Sequence, residues 1–344
     1  MNYPECIASV TELESLLSVP AEGLIEMMKR IDGDIMILGI AGKMGVTMGR
    51  QAVNAIRAAG VSKKVIGVSR FSKKEEREKL EGWGIETIAC DLLDQDAVKS
   101  LPQVKNIVFM AGRKFGTEGS EAQTWAMNIL APSYIGAHFR GSRIVAFSTG
   151  CVYPLVGIAT CGCTEEVTPE PVGEYSQSCL GRERIFQYCS QKYGTKVLLF
   201  RLNYAIDLRY GVLHDIARNI WEGRPVDNTV GYFNVIWQGD ANSNALRSLE
   251  LCDSPAAVLN VTGPETASVE KTALQLGALM GKEVVFKGVP GNLCYLNNSA
   301  QMCRRFGYPN VSLEQMIRWQ ADWIRNGGIS IGKPTHFEVN NGKF

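Results

Sequence analysis

The segment 35–45, with the sequence IMILGIAGKMG, constrains the fold of this chain more than any other. An apolar run enters a turn that carries three glycines, and a segment with the pattern of a helix, 46–59, follows. In such a strand–turn–helix unit, one glycine makes the tight turn, one lets the backbone approach a pyrophosphate and one lets the helix pack on the strand. The helix N-terminus then offers N–H groups and a positive dipole end to phosphates. The sequence therefore predicts a dinucleotide-binding turn formed by Gly39, Gly42, Lys43, Met44 and Gly45.

Charge, hydropathy and cysteine content exclude several classes of partner. The 344 residues include 36 Lys plus Arg and 35 Asp plus Glu, so no net charge favours nucleic acid or a membrane surface. No apolar run approaches the length of a membrane span, and the N-terminus does not resemble a signal peptide. The ten cysteines are spread through core-like segments, which is typical of free thiols in the cytoplasm. Cys161-Gly-Cys163 has no histidine nearby, so we expect a cytoplasmic protein without a metal.

Strand and helix signals alternate along the chain after residue 33. Short apolar strands joined by helices predict an α/β fold, a Rossmann-type doubly wound parallel sheet with right-handed crossovers. After the strand of the glycine motif, the strand signals are 64–68, 86–90, 106–111, 143–147 and 196–200. We expect a helical extension over 1–33 and a dinucleotide-binding domain over 34–204 with a returning strand near 258–262. The remainder, 205–344, is expected to be mainly a smaller C-terminal substrate domain.

Two hydroxyl-bearing residues fall at the ends of successive elements. Thr149 ends the fifth strand signal and Tyr175 opens a long helix, so both can converge on one substrate oxygen, one polarising it while the other exchanges its proton. Together with the glycine motif, this order resembles the extended short-chain dehydrogenase/reductases, the family of NAD-dependent epimerases and dehydratases, over 34–262 and more loosely to 324. The resemblance implies further cofactor contacts by Asp91, Leu92, Ala111, Gly112 and Asn128.

One departure from the family concerns its catalytic lysine. That lysine follows the tyrosine by four residues, binds the nicotinamide ribose and lowers the tyrosine pKa, whereas the position here holds Cys179. A neutral thiol does neither, so Tyr175 should be a poor base near neutral pH without another cation. Arg182, two helical turns along, and Lys114 and Arg113, after the fourth strand, are the candidate catalytic replacements. Solvated surface positions for all three are an equal alternative, and Cys179 would be a tolerated spacer that faces the cofactor.

A second departure lies at the tip of the second strand. NAD-dependent enzymes of this family usually place Asp or Glu there, whereas this chain reads Ser69-Arg70. An arginine with a small hydroxyl neighbour suits the 2′-phosphate of NADP, and Lys43 would add positive charge nearby. We therefore expect NADP or NAD as cofactor, with NADP favoured. The alternative is that both cations project into water.

The substrate signals favour a ligand without a diphosphate. Family members that act on nucleotide sugars tend to carry an arginine in a loop of the small domain, but the comparable stretch here, 289–298, has no basic residue. A smaller polyhydroxylated molecule, such as a sugar or sugar acid, therefore fits better. Aromatic faces and amides suit hydroxyl-rich ligands, although core packing is an equal alternative for each candidate. The candidate sugar contacts are Asn203, Tyr204, Tyr210, Trp237 and Gln238.

These signals together predict an NAD(P)-dependent epimerase or oxidoreductase that acts on a carbohydrate-like molecule by hydride transfer. Dehydration ranks last because Gly150-Cys151 stands where dehydratases often carry an acidic pair. The rival hypothesis is a catalytically impaired NAD(P)-binding sensor or interaction protein, which Cys179 favours. The resemblance also implies a homodimer that pairs through helices 121–139 and 176–193. Apolar surface for that contact would come from Trp125, Ile129, Tyr134, Ile185, Phe186 and Tyr188, although some of these must instead face the sheet.

Overall fold

The computed structural model describes residues 3–114, 117, 119–339 and 342. The strands are β1 Ile35–Leu38, β2 Val65–Ser69, β3 Glu86–Ala89, β4 Asn106–Phe109, β5 Arg143–Thr149, β6 Val156–Gly157, β7 Lys196–Leu202, β8 Ala205–Ile206, β9 Val226–Asp227, β10 Tyr232–Phe233, β11 Ile236–Trp237, β12 Ala257–Val261, β13 Ala267–Ser268, β14 Phe286–Lys287 and β15 Leu293–Cys294. The helices are α1 Val10–Leu17, α2 Glu22–Arg30, α3 Gly45–Ala59, α4 Lys74–Gly82, α5 Gln95–Lys99, α6 Glu121–Trp125, α7 Ala131–His138, α8 Gly173–Tyr193, α9 Val212–Trp221, α10 Gln238–Arg247, α11 Val269–Met280, α12 Ala300–Phe306 and α13 Leu313–Arg325. No helix within these described ranges is long and apolar enough to cross a membrane.

The strand order determines where a ligand can bind. The main sheet has seven strands in the order β12-β7-β5-β4-β1-β2-β3, and every neighbouring pair is parallel. The order reverses at β1, where Leu38 pairs with Val68 on one side and with Phe109 on the other. In doubly wound sheets the ligand crevice lies at this switch point, outside the carboxyl ends of the strands. The predicted Rossmann-type parallel sheet is confirmed.

Apolar side chains bury the sheet on both faces, which explains the continuous hydrophobic runs of its strands. On one face the sheet packs with Leu24 of α2, Met48 of α3 and Leu246 of α10. On the other face it packs with Ile135 of α7 and Phe186 of α8. These layers hold the carboxyl ends of the strands at one edge, where the predicted site residues lie.

A second core forms mainly from elements that follow β7. It gathers α9, α11 and α13 around fully buried residues such as Leu213, Leu276 and Trp319. Helix α1 also belongs to this core through Leu13, whereas α2 packs on the sheet through Leu24. The helices of the predicted N-terminal extension are therefore distributed between the two cores.

The two long helical segments expected at a dimer surface pack closely on each other. A π-helical turn, Ala126–Leu130, joins α6 to α7, and a Cβ on Gly181 of α8 would lie 2.3 Å from Cδ1 of Ile129. Phe186 is fully buried, and its ring centroid lies 5.3 Å from that of Phe109. Of the six candidates, Phe186 therefore faces the sheet and not a dimer surface.

Candidate active site

Glycines build the turn between β1 and α3. Gly39 has a φ of +92°, a left-handed conformation that favours glycine, and a Cβ there would lie 2.8 Å from the backbone nitrogen of Ala111. A Cβ on Gly45 would lie 2.3 Å from the carbonyl oxygen of Ile40, so this glycine lets α3 start against the turn. At Gly42 a Cβ would meet only the carbonyl oxygen of Gly39, at 3.1 Å. The backbone is thus open at the N-terminus of α3, which fits the pyrophosphate of a dinucleotide.

An outer cleft runs along the carboxyl ends of β1, β2 and β3. The predicted cofactor residues that line it are Gly39, Gly42, Ser69, Arg70, Asp91, Leu92, Ala111 and Gly112. Further lining residues include Phe71, Ser72, Glu76 and Lys333. One carboxylate oxygen of Asp91 already has a partner, because Oδ1 accepts the backbone N–H of Leu93 at 3.0 Å. One groove therefore collects most of the residues that the sequence assigns to a dinucleotide.

An inner cavity adjoins the outer cleft, since Met110 and Gly112 line both. Thr149 is the last residue of β5, and its hydroxyl oxygen accepts the backbone N–H of Cys151 at 3.2 Å. Tyr175 lies in the first turn of α8. The predicted site residues that line the inner cavity are Lys43, Met44, Gly112, Lys114, Thr149, Tyr175, Arg182, Asn203 and Tyr204. The structure thus brings the predicted hydroxyl pair to one cavity.

The surroundings of Tyr175 keep its phenol protonated. Burial raises the pKa of Tyr175 well above its ordinary value of 10, and the neighbouring thiols of Cys179 and Cys151 raise it further. The guanidinium of Arg182 acts in the opposite direction but does not outweigh burial. Near neutral pH the phenol is therefore a proton donor and a poor base.

Cys179 belongs to the protein interior. Its side chain is 1% exposed and packs with Val152, Tyr153 and Cys163. Burial raises the pKa of the Cys179 thiol to about 11, which keeps it neutral. The residue lines neither the outer cleft nor the inner cavity, so it does not lie where a cofactor contact was predicted. Packing explains a small apolar side chain at this position.

Lys114 lies over the ring of Tyr175. Its ammonium is 5.8 Å from the ring centroid and donates a hydrogen bond to the carbonyl oxygen of Thr335 at 3.3 Å. Burial lowers the pKa of Lys114, while the thiols of Cys151 and Cys179 act in the opposite direction. The cation therefore lies over the ring face of Tyr175, in the lining of the inner cavity.

Arg182 stabilises the wall of the inner cavity through hydrogen bonds. Its Nη1 donates to the carbonyl oxygen of Phe147 at 2.8 Å, and its Nη2 donates to the side-chain oxygen of Asn128. The amide of Asn128 also bonds the backbone N–H and carbonyl of Arg113, at 3.2 and 3.3 Å, and donates to the hydroxyl of Ser178 at 2.9 Å. Arg182 and Asn128 therefore tie β5, the loop after β4 and α8 together. Asn128 does not line either cavity, so its position is that of a support rather than the predicted cofactor contact.

Lys43 does not lie beside Arg70, where the sequence analysis expected it. Its ammonium is 3.3 Å from the centroid of the Tyr210 ring and donates to the carbonyl oxygen of Ala205 at 3.5 Å. The ring face and the carbonyl dipole attract the ammonium into the inner cavity, away from the outer cleft. Burial lowers the pKa of Lys43 to about 7. The expected contribution of Lys43 to a 2′-phosphate site is thereby corrected.

The predicted sugar contacts separate in the structure, since Tyr210 lines the inner cavity whereas Gln238 is fully buried and lines neither cavity. Asn203 lines the inner cavity, although its amide already donates to the side-chain oxygen of Asn234 at 2.7 Å. Tyr204 lines the same cavity with a φ of +44°. Trp237 is 2% exposed, packs at 5.3 Å between ring centroids on Trp319 and lines neither cavity. Its assignment to the substrate is corrected, because the indole fills the second core.

The C-terminal segment also contributes to the site, which the sequence did not predict. Thr335 lines the inner cavity and Lys333 lines the outer cleft, although no motif marks either residue. Cys151 also lines the inner cavity, and its position two residues after Thr149 is the one local signal that could have indicated it. Within the part of the chain that the structure describes, no group of three or more His, Cys, Asp or Glu side chains could hold a metal ion.

Solved structures share this architecture at low sequence identity. UDP-glucose 4-epimerase from Thermotoga maritima, solved with UDP-glucose, has a TM-score of 0.68 and 18% identity over 86% of this chain and 99% of that chain. UDP-glucuronic acid 4-epimerase from Bacillus cereus has a TM-score of 0.70 and 19% identity over 85% and 99%. The dTDP-glucose 4,6-dehydratase from Streptomyces venezuelae, solved with NAD, has a TM-score of 0.71 and 18% identity over 85% and 97%. At these identities the likeness establishes the fold alone.

A family model gives the decisive match. No curated protein sequence matches this chain at a significant level. The model for the NAD dependent epimerase/dehydratase family matches residues 35–222, which is more than half of the 344 residues. The matched region contains the glycine turn, Thr149 and Tyr175. The chain therefore belongs to the NAD-dependent epimerase/dehydratase family.

Proposed function

We propose that this protein is an NAD(P)-dependent epimerase or oxidoreductase that acts on a sugar or sugar acid by hydride transfer. The observation that carries the proposal is the junction of the two cavities at Met110 and Gly112. Through that junction, a ligand held next to Thr149 and Tyr175 meets the end of the dinucleotide cleft. The proposed substrate domain, 205–344, contributes Thr335 to the same cavity.

Thr149 and Tyr175 would act on one substrate oxygen. Thr149 polarises this oxygen, and Tyr175, which is protonated near neutral pH, donates its proton when a carbonyl is reduced. In the opposite direction Tyr175 must accept a proton, and the ammonium of Lys114 stabilises the phenolate. NAD(P) supplies the hydride donor or acceptor when it is bound. We therefore expect oxidation to require a higher pH than reduction.

The outer cleft supports NADP as the favoured cofactor. Ser69, Arg70 and Ser72 line it at the tip of β2, and an exposed guanidinium with hydroxyl neighbours suits a 2′-phosphate. The carboxylate of Glu76 lines the same cleft and is the feature that favours NAD, the cofactor present in the solved dehydratase. Direct comparison of the two cofactors separates these alternatives.

The cations of the small domain support a substrate without a diphosphate. Arg304 and Arg305, the arginines nearest to the stretch 289–298, are exposed on α12 and line neither cavity. A diphosphate in the inner cavity would therefore lack the arginine that the family resemblance leads one to expect in this loop. A nucleotide sugar, the ligand class of the solved epimerases, is the alternative substrate.

A cofactor-binding sensor of the same fold is the rival proposal. The thiol of Cys179 carries no charge, and the pKa of Tyr175 is raised, so two features of an active member of the family are missing. The placement of Lys114 over Tyr175 favours the enzyme. Turnover of any sugar would remove the sensor proposal.

We further propose a cytoplasmic homodimer. All ten cysteines are free thiols, which suits a reducing compartment. Leu130 and Tyr188, on the segment after α6 and on α8, are 45% and 51% exposed and give the predicted pairing helices an apolar outer surface. Light scattering at micromolar concentration tests the assembly, and a monomer would refute it.

The experiment that tests the function is a substrate screen. Purified protein is incubated with sugars, sugar acids and nucleotide sugars in the presence of each nicotinamide cofactor. Absorbance of the reduced nicotinamide reports net oxidation or reduction, and NMR reports redox-neutral epimerisation. We expect turnover of a sugar or sugar acid that is lost in Thr149→Val, whereas turnover restricted to nucleotide sugars would refute the proposed substrate class.

A further inference from the structure

Phe71 has a backbone conformation that aromatic residues rarely adopt. Its φ is +48°, in the left-handed region where a bulky side chain crowds the backbone. Phe71 lies two residues after the end of β2, and a glycine at this position would adopt the same conformation without strain. Strained conformations persist only where the surrounding structure holds them, and they are concentrated at ligand sites. The turn after β2 alone therefore does not explain a phenylalanine here.

The side chain of Phe71 lies between the protein core and the outer cleft. The residue is half-buried, packs against the apolar cluster on one face of the sheet and lines the outer cleft. The guanidinium of Arg77, on α4, lies 5.9 Å from the centroid of the Phe71 ring. Arg77 is itself held, because its Nε donates to the side chains of Glu81 and Thr87 at 2.9 Å each. An aromatic side chain that is supported from the protein side thus borders the cleft.

The position of Phe71 along the cleft indicates which part of a dinucleotide it would contact. The pyrophosphate fits the glycine turn after β1, and the nicotinamide must point toward Met110 and Gly112, after β4, to reach a ligand of the inner cavity. Because β2 and β3 lie on the other side of β1, the adenine end points toward their tips. Phe71 lines the cleft at these tips together with Arg70 and Leu92.

We propose that Phe71 stacks on the adenine ring of the nicotinamide cofactor and is held in its strained conformation for this contact. The inference rests on the proposed cofactor but not on the sugar that the inner cavity takes. Every base has a π-face, and stacking on an aromatic side chain commonly raises affinity by about tenfold or more. Arg70 would bind the 2′-phosphate of the same nucleoside, so the two neighbours contact different groups. Since NAD and NADP share adenine, Phe71 should contribute to the binding of both.

Calorimetric titration with NADPH and NADH, without any sugar, tests the contact. In Phe71→Ala we expect both cofactors to bind about tenfold more weakly and by the same factor. Phe71→Tyr keeps an aromatic ring and should bind both like the parent. Phe306→Ala is the matched control and should also bind like the parent. Phe306 is a half-buried phenylalanine with a guanidinium, that of Arg247, 4.5 Å from its ring centroid, and it lines neither cavity.

Two truncations separate the strain from the ring. Phe71→Gly and Phe71→Ala both remove the ring, but only glycine relieves the left-handed conformation. The Gly variant should therefore melt about 2 °C higher than the Ala variant, while the two lose the same factor in affinity. A Gly variant that melts no higher than the Ala variant would contradict the strain.

The remaining outcomes decide the contact itself. Parent-like affinities in Phe71→Ala, a loss that Phe306→Ala shares, or a loss confined to NADPH would each overturn stacking on adenine. A parent that binds neither cofactor would refute the proposed cofactor and this inference together. A parent that binds both, with no loss in Phe71→Ala, would refute this inference alone.

Discussion

The carboxylate of Asp215 holds Thr335 through two hydrogen bonds, since its Oδ2 accepts the backbone N–H at 2.7 Å and the hydroxyl at 2.6 Å. Asp215 lies in the first turn of α9, and Thr335 belongs to the segment that follows α13. The carbonyl oxygen of Thr335 in turn accepts a hydrogen bond from Lys114, and Lys333 lines the outer cleft. The two hydrogen bonds to Asp215 thus hold residues 333–335 against the inner cavity and the outer cleft.

Asp215→Asn should weaken the two hydrogen bonds between Asp215 and Thr335. Loss of the negative charge removes the charge assistance of both hydrogen bonds, so we expect the affinity for a ligand of the inner cavity to fall by about tenfold. Chymotrypsin should also cleave after Phe337, which is buried two residues beyond Thr335, faster than in the parent. Limited proteolysis and calorimetry measure the two effects. Asp322→Asn, which alters a partly exposed carboxylate of α13 that pairs with Arg325, is the control, and equal behaviour of the two variants would contradict the role of Asp215.

A buried ion pair between α8 and β7 should contribute strongly to stability. The guanidinium of Arg201 bonds both carboxylate oxygens of Glu183, at 2.9 and 2.6 Å, and Glu183 also accepts the hydroxyl of Ser148 at 2.6 Å. Because Arg201→Met leaves Glu183 buried and unpaired, we expect the free energy of unfolding in urea to fall by about 3–5 kcal/mol. Adding Glu183→Leu should recover much of that loss.

The matched control is an exposed ion pair on α13. Arg318 and Glu314 form an ion pair at 2.9 Å on the surface of α13. Arg318→Met should change the free energy of unfolding by no more than about 1 kcal/mol, because solvent screens the pair. A similar loss for Arg318→Met and Arg201→Met would contradict the importance of burial.

Cofactor preference should depend on Arg70. In Arg70→Ala we expect the affinity for NADPH to fall by about tenfold or more, while the affinity for NADH changes little, because only the 2′-phosphate loses a charged partner. Titration of both cofactors measures the ratio. Lys43→Met is the informative comparison, since Lys43 lies in the inner cavity and should not alter the discrimination. Tighter binding of NADH by the parent would remove the NADP preference.

The sheet and the glycine turn could be predicted because their signals are local. A short apolar run, three glycines and a following helix specify a strand–turn–helix unit whatever the rest of the chain does. The Ser69-Arg70 pair was likewise placed in the outer cleft by its position at the end of a strand. The carboxyl ends of parallel strands share one edge, so residues at those ends converge.

Side-chain direction and distant contacts could not be predicted in the same way. Lys43 belongs to the glycine turn, but the ring of Tyr210 and the carbonyl of Ala205 decide where its ammonium lies. Trp237 is a plausible sugar contact in sequence, yet the apolar surroundings of the second core bury it. Thr335 enters the site through a hydrogen bond to a residue far away in the chain, for which the sequence carries no local signal.

The acid–base role of Tyr175 should appear in a set of single variants. Tyr175→Phe should lose about two to four powers of ten in turnover, the usual scale of general acid–base catalysis. Lys114→Met should lose a comparable factor for oxidation and shift the rate profile to higher pH, because the phenolate loses a neighbouring cation.

Cys179→Ser is the control for that set. The Cys179 thiol is buried and neutral, so its replacement should retain most of the activity. Arg182→Ala should instead lower the melting temperature, because Arg182 ties β5 to Asn128. An inactive Cys179→Ser beside a fully active Tyr175→Phe would contradict the mechanism and indicate thiol chemistry.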